Sequence, residues 1–161
     1  RHNYISNGTS KTSGCVVFNC KSEGSRGASE GHRYFTQGML FDSYEDFDPY
    51  INGVLGFYCR NNMGTMHGWG MANGVIWNAN IVTDQSTAMN GNRNSQIFVE
   101  ELPMSQNYAI GCFTKQADEG IRAYDVKRKT RGYVEGTNKA GLFPTSLYQA
   151  QLLARKKHRN K

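Results

Sequence analysis

The sequence predicts an all-β fold in which short strands stack as the coils of a right-handed parallel β-helix, with one short helix at the C-terminal end. Three observations carry that expectation. Short apolar segments recur along the chain, several follow one formula of Gly, two or three apolar residues and a closing Asn or Asp, and their spacing approaches one solenoid coil. A β-sandwich of short strands joined by Gly/Asn turns presents the same kind of segments and stays open as the alternative.

In order, the segments are residues 14–20 (GCVVFNC), 38–42 (GMLFD), 53–59 (GVLGFYC), 74–78 (GVIWN), 95–99 (SQIFV) and 107–112 (NYAIGC). Their β-branched and aromatic residues fit a pleated, half-buried surface. The leading glycines at 14, 38, 53 and 74 lie 24, 15 and 21 residues apart, close enough to a coil for each strand to pair with its counterpart one turn on. Asn19, Asp42 and Asn78 fall at strand ends, where an amide or carboxylate satisfies backbone groups at the bend. Polar stretches at 21–33, 42–52, 60–73, 83–94 and 114–122 read as connections that carry function. Residues 145–155 read as a helix, capped by Thr145 or Ser146, with Leu147, Ala150, Leu153 and Ala154 at three-to-four spacing. The expected organisation is β-helix coils over 1–144, a helix over 145–155 covering the open end of the last coil, and a basic tail over 156–161.

Composition agrees with many strands and turns: 18 Gly, 3 Pro and 38% hydrophobic residues in a chain of 161. The net charge of +6 is concentrated near the end. Residues 1–121 carry 8 basic and 11 acidic side chains (net −3), and residues 122–161 carry 11 and 2 (net +9). A cluster such as Arg155, Lys156, Lys157, Arg159 and Lys161 reads first as a solvated tail; it also suits attraction of a polyanion, of which an acidic glycan fits the other features. Nucleic acid is not an expected partner, because the charge is terminal and lacks interleaved aromatics on a recognised scaffold. Nor is a membrane, since no apolar run approaches the roughly 18 residues a span requires. The sequon Asn7-Gly8-Thr9 marks Asn7 for glycosylation in a secreted, extracellular chain. Cys15, Cys20, Cys59 and Cys112 lack CxxC spacing; a disulfide bond within or between coils and buried free thiols both fit them.

The richest stretch for chemistry is 59–74 (CRNNMGTMHGWGMANG), where glycines let the backbone fold closely around His67 and Trp69. Trp69 offers a flat face to sugar C–H groups, and Arg60, Asn61 and Asn62 donate to hydroxyls or a carboxylate. A packed corner of His67 and Trp69 with Met63, Met66 and Met71 is the structural alternative. No ligand set accompanies His67, so no metal site is predicted. A second cluster, residues 26–34, contains His32, Arg33 and Tyr34, and Arg1 and His2 stand in register one coil earlier. Together they describe a basic and aromatic cleft.

Such a cleft suits β-elimination of a uronic-acid polysaccharide, in which a base takes the proton α to a carboxylate and a cation stabilises the enolate-like charge. Arg33 or Arg60 is placed as the stabiliser. His67, His32 or Tyr58 is placed as base or as donor to the departing oxygen, with His67 leading because its reference pKa lies near neutrality. Hydrolysis would need paired carboxylates, for which Glu45, Asp46 and Asp48, or Glu100 and Glu101, are the weaker candidates. No nucleotide-binding or serine-hydrolase motif occurs.

The segments RHNYIS (1–6), FNC (18–20), EGHRYFTQGMLFD (30–42), NNMGTMHGWGMANGVIWN (61–78), QNYAIGC (106–112) and SLYQAQLLAR (146–155) resemble the C-terminal portion of secreted right-handed β-helix proteins of the pectate-lyase-like superfamily. The resemblance implies the β-helix fold, an extracellular setting and an acidic-polysaccharide substrate or ligand. It matches the His-Arg pairs at 2/1 and 32/33 and the loop at 64–69. The calcium-binding aspartates of true pectate lyases have no clear match among residues 30–80. Calcium is therefore an open cofactor at most, beside a metal-free lyase or a non-catalytic component of an extracellular matrix or cell wall. Relatives of this kind are longer, so an upstream chain or a second copy is expected to complete the stack.

Overall fold

The computed structural model describes residues 2–6, 11–33, 35–47, 53–81, 96–125, 127 and 130–159. It is mainly β, with strands β1 (Ile5–Ser6), β2 (Val16–Phe18), β3 (Lys21–Glu23), β4 (Ser29–Gly31), β5 (Thr36–Gln37), β6 (Leu40–Asp42) and β7 (Glu45–Phe47). These are followed by β8 (Gly53–Phe57), the distorted turn α1 (Met63–Met66), β9 (Met71–Ala72), β10 (Val75–Trp77), β11 (Gln96–Val99) and β12 (Tyr108–Ile110). A 3-10 turn at Ala117–Gly120, β13 (Ile121–Arg122), β14 (Tyr133–Glu135) and helix α2 (Leu147–Arg159) complete the order.

Two five-stranded sheets dominate, ordered β1-β4-β8-β11-β13 and β2-β6-β10-β12-β14, with two-stranded sheets β3-β7 and β5-β9 beside them. The chain visits the two large sheets in strict alternation, and each return sets a new strand beside that of the previous visit. Every pair of named strands is parallel. An antiparallel sandwich of hairpins, the alternative read from the sequence, does not have that pairing.

Register explains the core. Val17, Phe41, Ile76, Ala109 and Val134 stand side by side across the second sheet. Leu55, Ile97 and Ile121 do so across the first. Phe41, Ile76, Ala109, Leu55, Ile97 and Ile121 are buried in one cluster, and stacking like on like removes each apolar row from water. Each strand of the second sheet ends in a residue with positive φ: Asn19, Ser43, Asn78, Gly111 and Gly136. The N–H of each of the first four donates to the strand end of the next visit, at 2.8–2.9 Å. Asn19 and Asn78 thus occupy the corner expected of them, whereas after β6 the corner falls to Ser43 and Asp42 stays inside the strand.

Asp42 instead holds the C-terminal helix. Its Oδ2 accepts from Ser146 Oγ at 2.8 Å and Tyr148 N at 2.7 Å, while Ser146 Oγ caps α2 by accepting from Gln149 N at 3.1 Å. Leading into α2, Pro144 O accepts from Trp77 Nε1 and Thr145 O from Asn78 Nδ2, both at 3.0 Å. Further on, Tyr148 packs on Phe18 with ring centroids 5.3 Å apart. The segment therefore crosses the second sheet from β10 to β2, and its anchors lie on three neighbouring strands, β10, β6 and β2. No residue of α2 is buried. Residues 156–159, expected as tail, form its last turn. Among the described residues no helix is long and apolar enough to cross a membrane.

Candidate functional site

The end of β4 brings the sequence-predicted residues together. Glu30, in β4, is fully buried and pairs with Gly56 of β8 in register. A buried carboxylate requires partners, and they are the residues singled out for chemistry. Arg60 Nη1 donates to Glu30 Oε1 at 2.7 Å. His32 Nδ1 lies 2.5 Å from the same oxygen, and His2 Nδ1 lies 3.9 Å from it. Both ring nitrogens of His32 also lie beside Arg60 Nη1. His2 meets His32 edge-on with centroids 4.9 Å apart, and His32 meets His67 at 4.8 Å. Arg33 Nη1 reaches Thr65 Oγ1 at 3.4 Å.

Local backbone geometry makes this convergence possible. The loop 60–68 is pinched at its neck by Arg60 N to Gly68 O at 2.7 Å and Gly68 N to Asn61 O at 3.0 Å, which places Arg60 beside His67. Gly31 and Gly70 let two backbones touch: a Cβ on Gly70 would overlap Gly31 O.

Electrostatics divide the roles. Burial raises the Glu30 pKa, against the lowering effects of Tyr58, Arg60, His2 and His67. Burial lowers the pKa of His67, assisted by the positive charge of Arg60, by His32 and by Arg33. His67 is half-buried, and its Nδ1 has no hydrogen-bond partner. The imidazole is therefore neutral at pH 7 and able to accept a proton. Tyr58 is buried, with its phenol pushed far up by burial and by Glu30, so it stays protonated. Of the two roles read for Tyr58, only that of donor is compatible with this environment.

The remaining expectations divide. Asn61 and Asn62 are exposed on the 60–68 loop. Trp69 is half-buried and lines a separate cavity with Phe35. Arg1, Asn7 and Tyr34 lie outside the described residues, as does Asp48. Three of the carboxylates considered for hydrolysis are engaged by other groups. Glu45 bridges to Lys21 at 2.7 Å, Asp46 is buried against Tyr44 and Ser25, and Glu100 is buried and accepts Cys59 N, Tyr124 N and Asp125 N. All four cysteines are free thiols, and burial pushes the Cys112 thiol up to about 12.

Glu30 received no role from the sequence, although Arg60, His32 and His2 all approach it. Its only signal was a charge between two small residues, Ser29 and Gly31, with His and Arg directly after. His2, Glu30 and His32 place ligand atoms within 4.8 Å of one another, but Arg60 Nη1 rests on both Glu30 and His32 and occupies the cationic position. One carboxylate among imidazoles is also not the oxygen set that calcium takes.

Comparison of the chain with protein-family models, with curated proteins and with solved structures returned no match.

Proposed function

We propose that the alternating parallel sheets are faces of a right-handed β-helix of the extracellular, pectate-lyase-like kind, and that the cluster around Glu30 binds an acidic polysaccharide and cleaves it by β-elimination. The observation that carries this reading is His67: a neutral, half-buried imidazole beside two guanidiniums, Arg33 and Arg60. In the reaction His67 takes the proton from the carbon α to the uronate carboxylate. Those electrons form the new carbon–carbon double bond, and the bond from the β carbon to the bridging oxygen breaks. That oxygen takes a proton from water or a protonated neighbour. Arg33 and Arg60 stabilise the enolate-like charge, a role in which prepositioned cations act most strongly.

One observation favours retention without cleavage. Arg60 is already neutralised by Glu30, which weakens its pull on a second carboxylate. The experiment is incubation with a panel of uronic-acid polysaccharides, read by the ultraviolet absorbance of the unsaturated product. A rising signal, lost in His67→Ala and in Arg33→Ala while both variants stay folded, supports the lyase. A flat signal with salt-sensitive retention on an acidic-glycan column leaves the binding component. With neither, the proposal fails.

A further inference from the structure

The cationic cluster adjoins an uncharged aromatic cavity. Arg33 and Phe35 are two residues apart, as are His67 and Trp69, so each segment passes from cluster to cavity within at most about 7 Å of chain. The two segments are tied by Phe35 N donating to Trp69 O at 3.0 Å. The cavity, about 450 Å³, is walled by Phe35, Trp69 and Met104, with Gln37, Asn73 and Ser105 among its polar groups. Among the described residues, no charged side chain lines it.

Its construction points to a ligand. Phe35 holds φ at 61, the left-handed region that a bulky side chain avoids, and such strain persists only where the surrounding bonds over-determine it. Here those bonds are Phe35 N to Trp69 O and Thr36 N to Gly70 O. The result is an aromatic ring held 38% exposed at the cavity, while Met104 at the same cavity is 98% exposed. Apolar walls with a few amide and hydroxyl groups are the composition of a small-ligand site.

We infer that this cavity is a subsite for an uncharged sugar unit next to a uronate held at the Glu30 cluster, so that the ligand is a polysaccharide alternating acidic and neutral units. The inference rests on the acidic-glycan reading above. A pyranose carries an apolar C–H face that covers Trp69 or Phe35, and hydroxyls within the range of Gln37, Asn73 and Ser105. A second uronate placed there would lose its water with no cation among the described lining residues to replace it, and desolvating a charge costs far more than desolvating a hydroxyl. The carboxylate belongs at Arg33 and Arg60, one unit away.

The test is calorimetric titration of the full chain with two oligosaccharides of equal length, one alternating uronate with N-acetylhexosamine and one made of uronate alone. The alternating oligosaccharide is expected to bind tighter although it carries half the charge, and Trp69→Ala to weaken it by about tenfold with little effect on the uronate oligomer. Because Trp69→Ala could disturb folding, Met104→Lys gives an independent reading at a 98% exposed position. By supplying the missing cation, it should raise affinity for the uronate oligomer severalfold. Tighter binding of the uronate oligomer to the unaltered protein, or no response to Met104→Lys, overturns the inference while leaving the acidic-glycan reading in place. If neither oligosaccharide binds, both fall.

Discussion

Asp46 is a buried aspartate, 1% exposed, whose carboxyl burial pushes up to about 6 against the bonds from Tyr44, Ser22 and Ser25. An unfolded aspartate titrates near 3.9, so between about pH 4 and pH 6 the folded chain holds a proton that the unfolded chain has released. Stability therefore falls as pH rises through that window, by about 3 kcal/mol from this group. Denaturant midpoints at the two ends of the window should converge in Asp46→Asn, and an undiminished slope would sink this account; Glu30, also raised by burial, keeps part of the slope in the variant. For His67 the sign is opposite. Its lowered pKa should appear as an NMR titration below the ordinary imidazole value and move upward in Arg33→Gln, because Arg33 is one of the groups that lower it. His67, Arg33 and Arg60 were legible as chemistry from residue type and glycine context. Glu30 was not, because a carboxylate in a strand reads as solvent-facing until its partners, here 28–30 residues away in Arg60 and His2 and adjacent in His32, are brought to it.

At the scale of the element, the C-terminal helix shows what local sequence specifies and what it leaves open. A helix beginning near Ser146 followed from capping chemistry and apolar spacing, and α2 begins at Leu147 with Ser146 as its cap. Its docking partner was not readable, since Asp42 lies 104 residues from Ser146. Ser146→Ala should cost about 1 kcal/mol. Asp42→Ala should cost more, because Ser146 Oγ and Tyr148 N lose a shared buried acceptor. Amide exchange across Leu147–Arg159 distinguishes the two, with protection falling further in Asp42→Ala; equal exchange in both would assign the anchoring to Trp77 and Phe18 instead. Gly70 presents the complementary case. A Cβ there would overlap the carbonyl oxygen of Gly31, so Gly70→Ala should separate the two backbones and destabilise by about 1–3 kcal/mol, read as a lower denaturant midpoint.

Across the whole molecule, positive charge is gathered on an exposed helix whose last turn carries Lys156, Lys157, His158 and Arg159. These cations complement the negative end of the helix dipole and stand clear of the packed sheets, which favours salt-sensitive attraction to a polyanion. Replacing Lys156, Lys157 and Arg159 with Gln takes the formal charge from +6 to +3. Elution from an acidic-glycan column should then shift to lower salt with no change in thermal unfolding. Unaltered elution would confine the contact to the face that carries Arg33.

By itself the sequence determined six of the named strands, β2, β6, β8, β10, β11 and β12, because their β-branched and aromatic residues sit between Gly and Asn, the types that turn sharply; β3, β4, β7, β9 and β13 lie in the polar stretches read as connections, where no apolar run announces a strand. It also determined the capped C-terminal helix. Only the tertiary structure decided which strand lies beside which, since the intervals from Val16 to Leu40, Val75, Tyr108 and Tyr133, which are 24, 35, 33 and 25 residues, keep no single period and are absorbed by the connections. It likewise decided that Glu30 is the centre of the cationic cluster and that Trp69 belongs to a separate cavity. Both follow from lateral pairing between segments far apart in sequence, and the close backbone approach of Gly31 and Gly70 is visible only once the sheets are formed.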